Sequence, residues 1–147
     1  MRISTKGRYG LRAMLDLALH SNGTQVALLN IAQRQNISTN YLEQVFSLLR
    51  KAGFVNSVKG AQGGYILAEK PSEIRVGAIL RSLEGDVKVV DEEPDNSGSE
   101  SANMQACVRR CVWDKINASI DAVVDSITLK DLVEDYNGTN AYPMFYI

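Results

Sequence analysis

Ser38-Thr39-Asn40-Tyr41-Leu42-Glu43-Gln44-Val45-Phe46-Ser47-Leu48-Leu49-Arg50-Lys51-Ala52-Gly53 runs directly into Phe54-Val55-Asn56-Ser57-Val58-Lys59-Gly60-Ala61-Gln62-Gly63-Gly64-Tyr65-Ile66-Leu67. The first half places Leu42, Val45, Phe46 and Leu49 at three- and four-residue steps, the period of one helix face. Ser38 suits the N-cap, where its hydroxyl can accept an orphan backbone N–H, and Gly53 suits the stop. In the second half, two runs of strand composition, Phe54 to Val58 and Tyr65 to Leu67, flank a glycine-rich basic tip. A helix followed by such a hairpin is the order of a recognition helix and a wing. The helix can enter a major groove and the wing can follow a phosphate backbone.

Upstream, residues 7–20 repeat Leu11, Met14, Leu15, Ala18 and Leu19 with helical period, and Asn22-Gly23 ends that helix. A second helix fits Leu28 to Gln35, with a turn at Asn36-Ile37, so the second and third helices read as a helix-turn-helix. Thr39, Asn40, Tyr41, Glu43 and Gln44 occupy the first two turns of the third helix, where base edges are met. Glu43 can accept from cytosine N4 and Gln44 can pair with adenine; the same residues would also serve as an ordinary polar face. At the tip, Lys59, Gly60, Gln62, Gly63 and Gly64 combine a cation with residues that permit positive φ and close approach of backbone N–H groups to phosphate.

Charge points the same way. Residues 1–80 hold ten Lys/Arg and four Asp/Glu, whereas the remainder holds six and thirteen, so a net charge of −1 conceals a basic half suited to a polyanion. A chain of 147 residues makes one domain, or a small domain with an extension. No apolar run approaches the roughly 20 residues of a membrane helix, and Met1 to Lys6 lack the apolar core of a signal peptide. The expectation is a cytoplasmic protein without membrane contact. One histidine (His20), no nucleophile–base pairing and no metal-ligand cluster argue against an enzyme.

Val76 to Leu83 reads as a fourth helix, closed by Glu84-Gly85. Residues 84–106, acidic and turn-rich, read as a flexible loop. From Ala106 to Ile127 the helical pattern returns in Val108, Val112, Ile116, Ile120, Val123, Val124 and Ile127. Such a helix would pack on its counterpart in a second subunit, on the first helix, or on both. Thr128-Leu129-Lys130-Asp131 resembles a capping box. The expected fold is mainly α with a small β wing: a winged helix-turn-helix DNA-binding domain (1–83), the acidic loop (84–106), and a dimerisation helix with a C-terminal tail (107–147).

Met1-Arg2-Ile3-Ser4-Thr5-Lys6-Gly7-Arg8-Tyr9-Gly10, Tyr41-Leu42-Glu43-Gln44, Leu49-Arg50-Lys51-Ala52-Gly53 and Gly60-Ala61-Gln62-Gly63-Gly64-Tyr65 together resemble the IscR/CymR/NsrR ("Rrf-two") family of bacterial winged-helix regulators, over nearly the whole chain. The resemblance implies a homodimeric transcription factor, in most members a repressor, on a near-palindromic site in double-stranded DNA. It implies that Tyr41, Glu43 and Gln44 face the major groove, that Lys59 to Gly64 form the wing, and that Lys6 and Tyr9 help hold phosphates.

Iron–sulfur members carry three cysteines in the loop and at the start of the long helix. Cys107 resembles the last of these, but residues 84–106 contain no cysteine, and Ser101 offers only a neutral hydroxyl, a poor iron ligand. A 2Fe–2S cluster takes four protein ligands, and Cys107 and Cys111 are the two candidates per chain, so the leading expectation is no cofactor. Their i, i+4 spacing puts them on one helix face. Cys107 could act as a redox-sensing thiol, and Cys111 reads as a small buried side chain. Met144-Phe145-Tyr146-Ile147 resembles the ending of the cysteine-metabolism repressor branch, whose members work with cysteine synthase. That resemblance makes Tyr146 and the Ile147 carboxylate candidate partner-binding groups and sulfur or cysteine metabolism the expected regulon, with an iron–sulfur or thiol-sensing regulator as the alternative.

Overall fold

The computed structural model describes residues 2–60 and 63–140. Three helices build the first layer: α1 (Thr5–His20), α2 (Leu28–Gln35) and α3 (Thr39–Lys51). The turn from α2 into α3 depends on Asn36, which takes a left-handed conformation (φ 55°) and lets the Ile37 N–H reach the Ala32 carbonyl at 3.0 Å. Ser38 Oγ then accepts the Tyr41 N–H at 3.1 Å, closing the start of α3. Gly53 (φ 88°) ends α3, and the Phe54 N–H returns to the Leu49 carbonyl at 3.0 Å.

Strands β1 (Val55–Val58) and β2 (Gly64–Leu67) pair antiparallel, with Val55 opposite Leu67 and Val58 opposite Gly64. The sequence reading missed a third partner. Val26 exchanges two 2.9 Å backbone hydrogen bonds with Tyr65, which ties the hairpin to the segment before α2. Phe46 of α3 packs on the Tyr65 ring with centroids 4.8 Å apart. The stripe Leu42, Val45, Phe46 and Leu49 is buried against Met14 and Leu17 of α1, Ile31 of α2 and Ile79 of α4 (Val76–Glu84). The fold is a winged helix-turn-helix with a long helix behind it.

Beyond α4 the structure corrects the sequence reading in three places. Residues 84–106 are not one loop, because helix α5 (Glu100–Val108) begins within them, capped by Ser99 Oγ on the Ala102 N–H at 3.1 Å. The helix continues through a π turn, Arg109–Trp113, into α6 (Asp114–Ser126). Its inner face lies on α4 rather than on the first helix: Ile120, Val124 and Ile127 pack on Val76, Leu80 and Val87. The chain after it then rejoins the first domain. Thr128 and Asp131 form the capping box, with backbone N–H groups bonded reciprocally at 2.9 and 3.1 Å, and α7 (Leu129–Asn140) inserts Leu129, fully buried, into the main core.

The π turn accounts for an oddity of spacing. Val108, Val112, Ile116 and Ile120 follow at four-residue steps. In a regular α-helix those three steps would rotate the stripe by roughly 120°. One extra residue accommodated in the π turn takes back about 100° of that drift, so Val108 and Val112 stay in line with Ile116, while Ile120 turns onto α4. Val108, Val112 and Ile116, with Val123 further on, are exposed.

Arg81 of α4 clamps α6, donating to both oxygens of Asp125 at 2.8 Å and to Asp121 at 3.0 Å. Hydrogen bonds from Arg81 hold the Asp125 carboxyl below the usual carboxylate range. A depressed pKa contributes stability above the unfolded value, about 3.9, and loses it as pH falls through the folded one. Asp125→Asn should therefore lower the urea midpoint by a constant amount above about pH 5, with the gap to wild type closing below pH 4. A gap unchanged down to pH 2.5 would show that the clamp contributes nothing through charge.

Candidate nucleic-acid interface

Helix α1 crosses α3 near its own first turns, and this crossing assembles the basic face. Lys6 of α1 meets Asn40, Tyr41, Glu43 and Gln44 of α3 around one open groove of about 700 Å3, with Ser47 and Leu48 further along. Lys6, Asn40, Glu43 and Gln44 are exposed, and Tyr41 is half-buried. Thr39 and Ser38 do not line the groove; Ser38 shapes it indirectly as the cap of α3. Tyr9 lies edge-on to Tyr41, centroids 6.1 Å apart, so it supports the groove from beneath.

Two residues that the sequence reading passed over belong to this face. The Arg8 and Arg12 guanidinium carbons stand 5.8 and 5.0 Å from the Tyr9 ring centroid, within cation–π range. Arg12 also donates to the Gln35 carbonyl at 2.8 Å, where a cation offsets the negative end of α2. The signal was present in the sequence as two arginines four apart flanking Tyr9, but their significance depends on the crossing of α1 and α3.

The start of α1 is held from a distance. Ser4 makes no side-chain cap bond to its own helix. Instead Glu84 Oε1, at the end of α4, accepts the Ser4 and Gly7 N–H groups at 3.0 and 2.8 Å and the Ser4 hydroxyl. A carboxylate at a helix N-terminus satisfies orphan donors and complements the dipole. Gly7 leaves room for it, because a Cβ there would collide with Glu84.

In the hairpin, Lys59 and Gly60 are exposed at the tip, and Gly60 has φ 129°, a conformation that favours glycine. Gly63 and Gly64 are half-buried, and a Cβ on Gly64 would meet the Val26 backbone. Gly64 is thus required by packing whatever it contacts outside. None of these four lines the α3 groove. Gln62, Tyr146 and Ile147 lie outside the described residues.

Residues 3–135 match the profile of a family described as "Rrf2: Iron-dependent Transcriptional regulator". The chain belongs to the Rrf2 family. It is 42% identical to the HTH-type transcriptional regulator CymR of Bacillus subtilis, over the full length of both chains. It is 40% identical to the regulator IscR of Photobacterium profundum, over 93% of this chain and 78% of that relative. Among solved structures, T. potens IscR superposes with a TM-score of 0.75 at 46% identity, covering 95% of this chain and 91% of that one. CymR, "the Global Cysteine Regulator of B. subtilis", superposes at 0.73 and 41%, covering 91% and 97%. This Rrf2 chain is a DNA-binding transcriptional regulator, and its relatives are regulators rather than enzymes.

The family description raises the question of iron. Cys107 and Cys111 are both exposed, which corrects the reading of Cys111 as a buried side chain. Two thiols in one chain are half of what a 2Fe–2S cluster takes, and no three His, Cys, Asp or Glu among the described residues converge on a metal position. His20 is engaged elsewhere, its Nδ1 3.4 Å from Asp16 Oδ1. Among the described residues a single chain therefore does not bring a full ligand set together. Among the described residues no helix is long and apolar enough to cross a membrane.

Proposed function

We propose that the chain acts in the cytoplasm as a homodimeric repressor on a near-palindromic DNA site. Tyr41, Glu43 and Gln44 read base edges, Lys6 and Tyr9 hold phosphates beside them, and Lys59 to Gly64 follow the flanking backbone. The observation that carries this reading is the groove in which Lys6 of α1 meets the polar face of α3. The exposed stripe Val108, Val112, Ile116 and Val123 supports pairing of two chains along the long helix, and a two-fold dimer would set two α3 helices about one DNA turn apart.

Fluorescence anisotropy on duplexes selected from a random pool tests this reading. Two chains should bind per site, and log affinity should fall linearly with log salt as phosphate contacts release counterions. Glu43→Ala should relax base preference more than it lowers nonspecific affinity. Salt-independent binding would sink the proposal, and equal loss of both affinities would remove Glu43 as a reader.

For the signal, the full-length likeness to CymR supports control of sulfur or cysteine genes, and the ending Met144 to Ile147, which resembles that of the cysteine-metabolism repressors, makes cysteine synthase the proposed partner, with Tyr146 and Ile147 as contacts. Deleting Ile147 should abolish synthase binding while leaving free-repressor DNA binding intact. A second reading, an iron–sulfur or thiol-redox regulator, is supported by the likeness to IscR and the exposure of both thiols. Visible absorption with near-stoichiometric iron in protein isolated without oxygen would favour it; a colourless, iron-free protein that binds DNA would favour the synthase route.

A further inference from the structure

The acidic segment after α4 is strapped to the long helix at two points. Asn117 Oδ1 accepts the Val89 N–H at 2.8 Å. Further along, Gln105 accepts the Asp95 N–H at 3.0 Å and donates to the Glu93 carbonyl at 3.4 Å. Between the straps segment and helix enclose a cleft of about 460 Å3, with walls that include Lys88, Asp91, Glu92, Arg109, Trp113 and Asp114. That volume is in the range of small-molecule sites. Arg109 and Trp113 are the two ends of the π turn, a distortion that recurs at functional sites.

Arg109 is the feature that points to a ligand. Its Nη2 atom is buried without a hydrogen-bond partner. Glu92 Oε1 stands 4.0 Å away, close enough for attraction and too far for a hydrogen bond. The side chain as a whole is a quarter exposed, and a carboxylate entering the cleft would supply the acceptor that Nη2 lacks. Lys88, a second cation at the cleft, stands 3.6 Å from Asp86 in an exposed pair. The same cleft presents the exposed carboxylates of Asp91, Glu92 and Asp114 to a cation, and Trp113 adds an aromatic wall. Of the four carboxylates that line the cleft, Asp121 is taken by Arg81; one cationic fork and the other three match a molecule carrying both charges.

We propose that this cleft binds a free α-amino acid, its carboxylate on Arg109 and its ammonium among Asp91, Glu92 and Asp114. Binding does not depend on the DNA-binding role proposed above; if both hold, the amino acid is an effector of the regulator.

Calorimetric titration of the full-length protein with the twenty common L-amino acids tests the proposal, followed by the α-keto acid and the amine that match each amino acid bound. At least one amino acid should bind saturably, with one site per chain. The matching keto acid and amine should each bind about tenfold more weakly or worse, the loss of one charge-assisted contact. Arg109→Lys, which keeps the charge and loses the fork, should weaken binding by a similar factor at an unchanged thermal midpoint. If that variant fails to fold, the surface variant Asp114→Asn is read instead, with a smaller loss expected. Absence of binding by all twenty, equal binding of the keto acid, or undiminished binding by the variant that is read would overturn the proposal. Operator affinity measured on the same samples separates its failure from failure of the DNA-binding reading.

Discussion

Arg34→Ala is expected to lower stability by about 3 kcal/mol and the thermal midpoint by roughly 6–12 °C. The reason is Asp16, the buried acid of α1, only 2% exposed. Arg34 reaches it from α2 with Nη2 at 2.8 Å from Oδ1 and Nε at 3.0 Å from Oδ2, and Gln35 Nε2 adds a third bond at 2.8 Å. The hydrogen bond to Asp16 also raises the Arg34 pKa above its ordinary value, so the guanidinium stays charged at any working pH. Removing the arginine leaves a buried carboxylate with only Gln35 and the His20 imidazole, whose Nδ1 stands 3.4 Å from Oδ1. The Arg34 side chain is about a third exposed, which holds the cost at the lower end for a broken buried pair. Replacing both partners, Asp16→Leu with Arg34→Leu, should cost less than Arg34→Ala alone, because no buried charge is stranded. Urea unfolding measures all three; a loss under 1 kcal/mol for Arg34→Ala would mean that water reaches Asp16.

Phe46→Ala should cost about 3–5 kcal/mol, the range for emptying a buried aromatic site. Phe46 is fully buried, and its ring faces both the helical core and Tyr65 of β2. Two losses follow from one substitution. The cavity destabilises the domain, and the hairpin loses the contact that sets it against α3. Hydrogen exchange at the Val26 and Tyr65 amides, which bond each other's carbonyls, should accelerate by more than the global loss accounts for. Phe46→Leu, which keeps most of the volume, should cost less than about 1.5 kcal/mol. Parallel loss of protection throughout the domain would show that the hairpin does not depend on Phe46 in particular.

What was legible in the sequence is what depends on neighbours in sequence. Helix α2 has the bounds its apolar spacing predicts, and the Ser38 cap and the Thr128–Asp131 box are three-residue relations. Helix α5 escaped notice because only Ala102 of its residues is buried, which leaves no stripe to read. The Val26–Tyr65 bridge is one residue long and has no strand signature. The straps at Asn117 and Gln105 join an acidic run to side chains 10 to 28 residues away, so composition alone suggested flexibility. For the site, the polar face of α3 could be listed from the sequence. Its meeting with Lys6, and the stacking of Arg8 and Arg12 on Tyr9, follow from how α1 crosses α3.

The Glu84 contact also orders events during synthesis. Because Ser4 does not cap α1 with its own side chain, the first turn of that helix waits for a carboxylate encoded 80 residues later. Closing so long a loop carries an entropy cost that local helix contacts do not. A nascent chain that has exposed α1, α2 and α3 but still holds α4 within the ribosome therefore lacks both the anchor at the start of α1 and the Ile79 contact of the α3 stripe. On the reading proposed above, the face that would meet DNA is completed only when Glu84 has emerged and most of the domain is out.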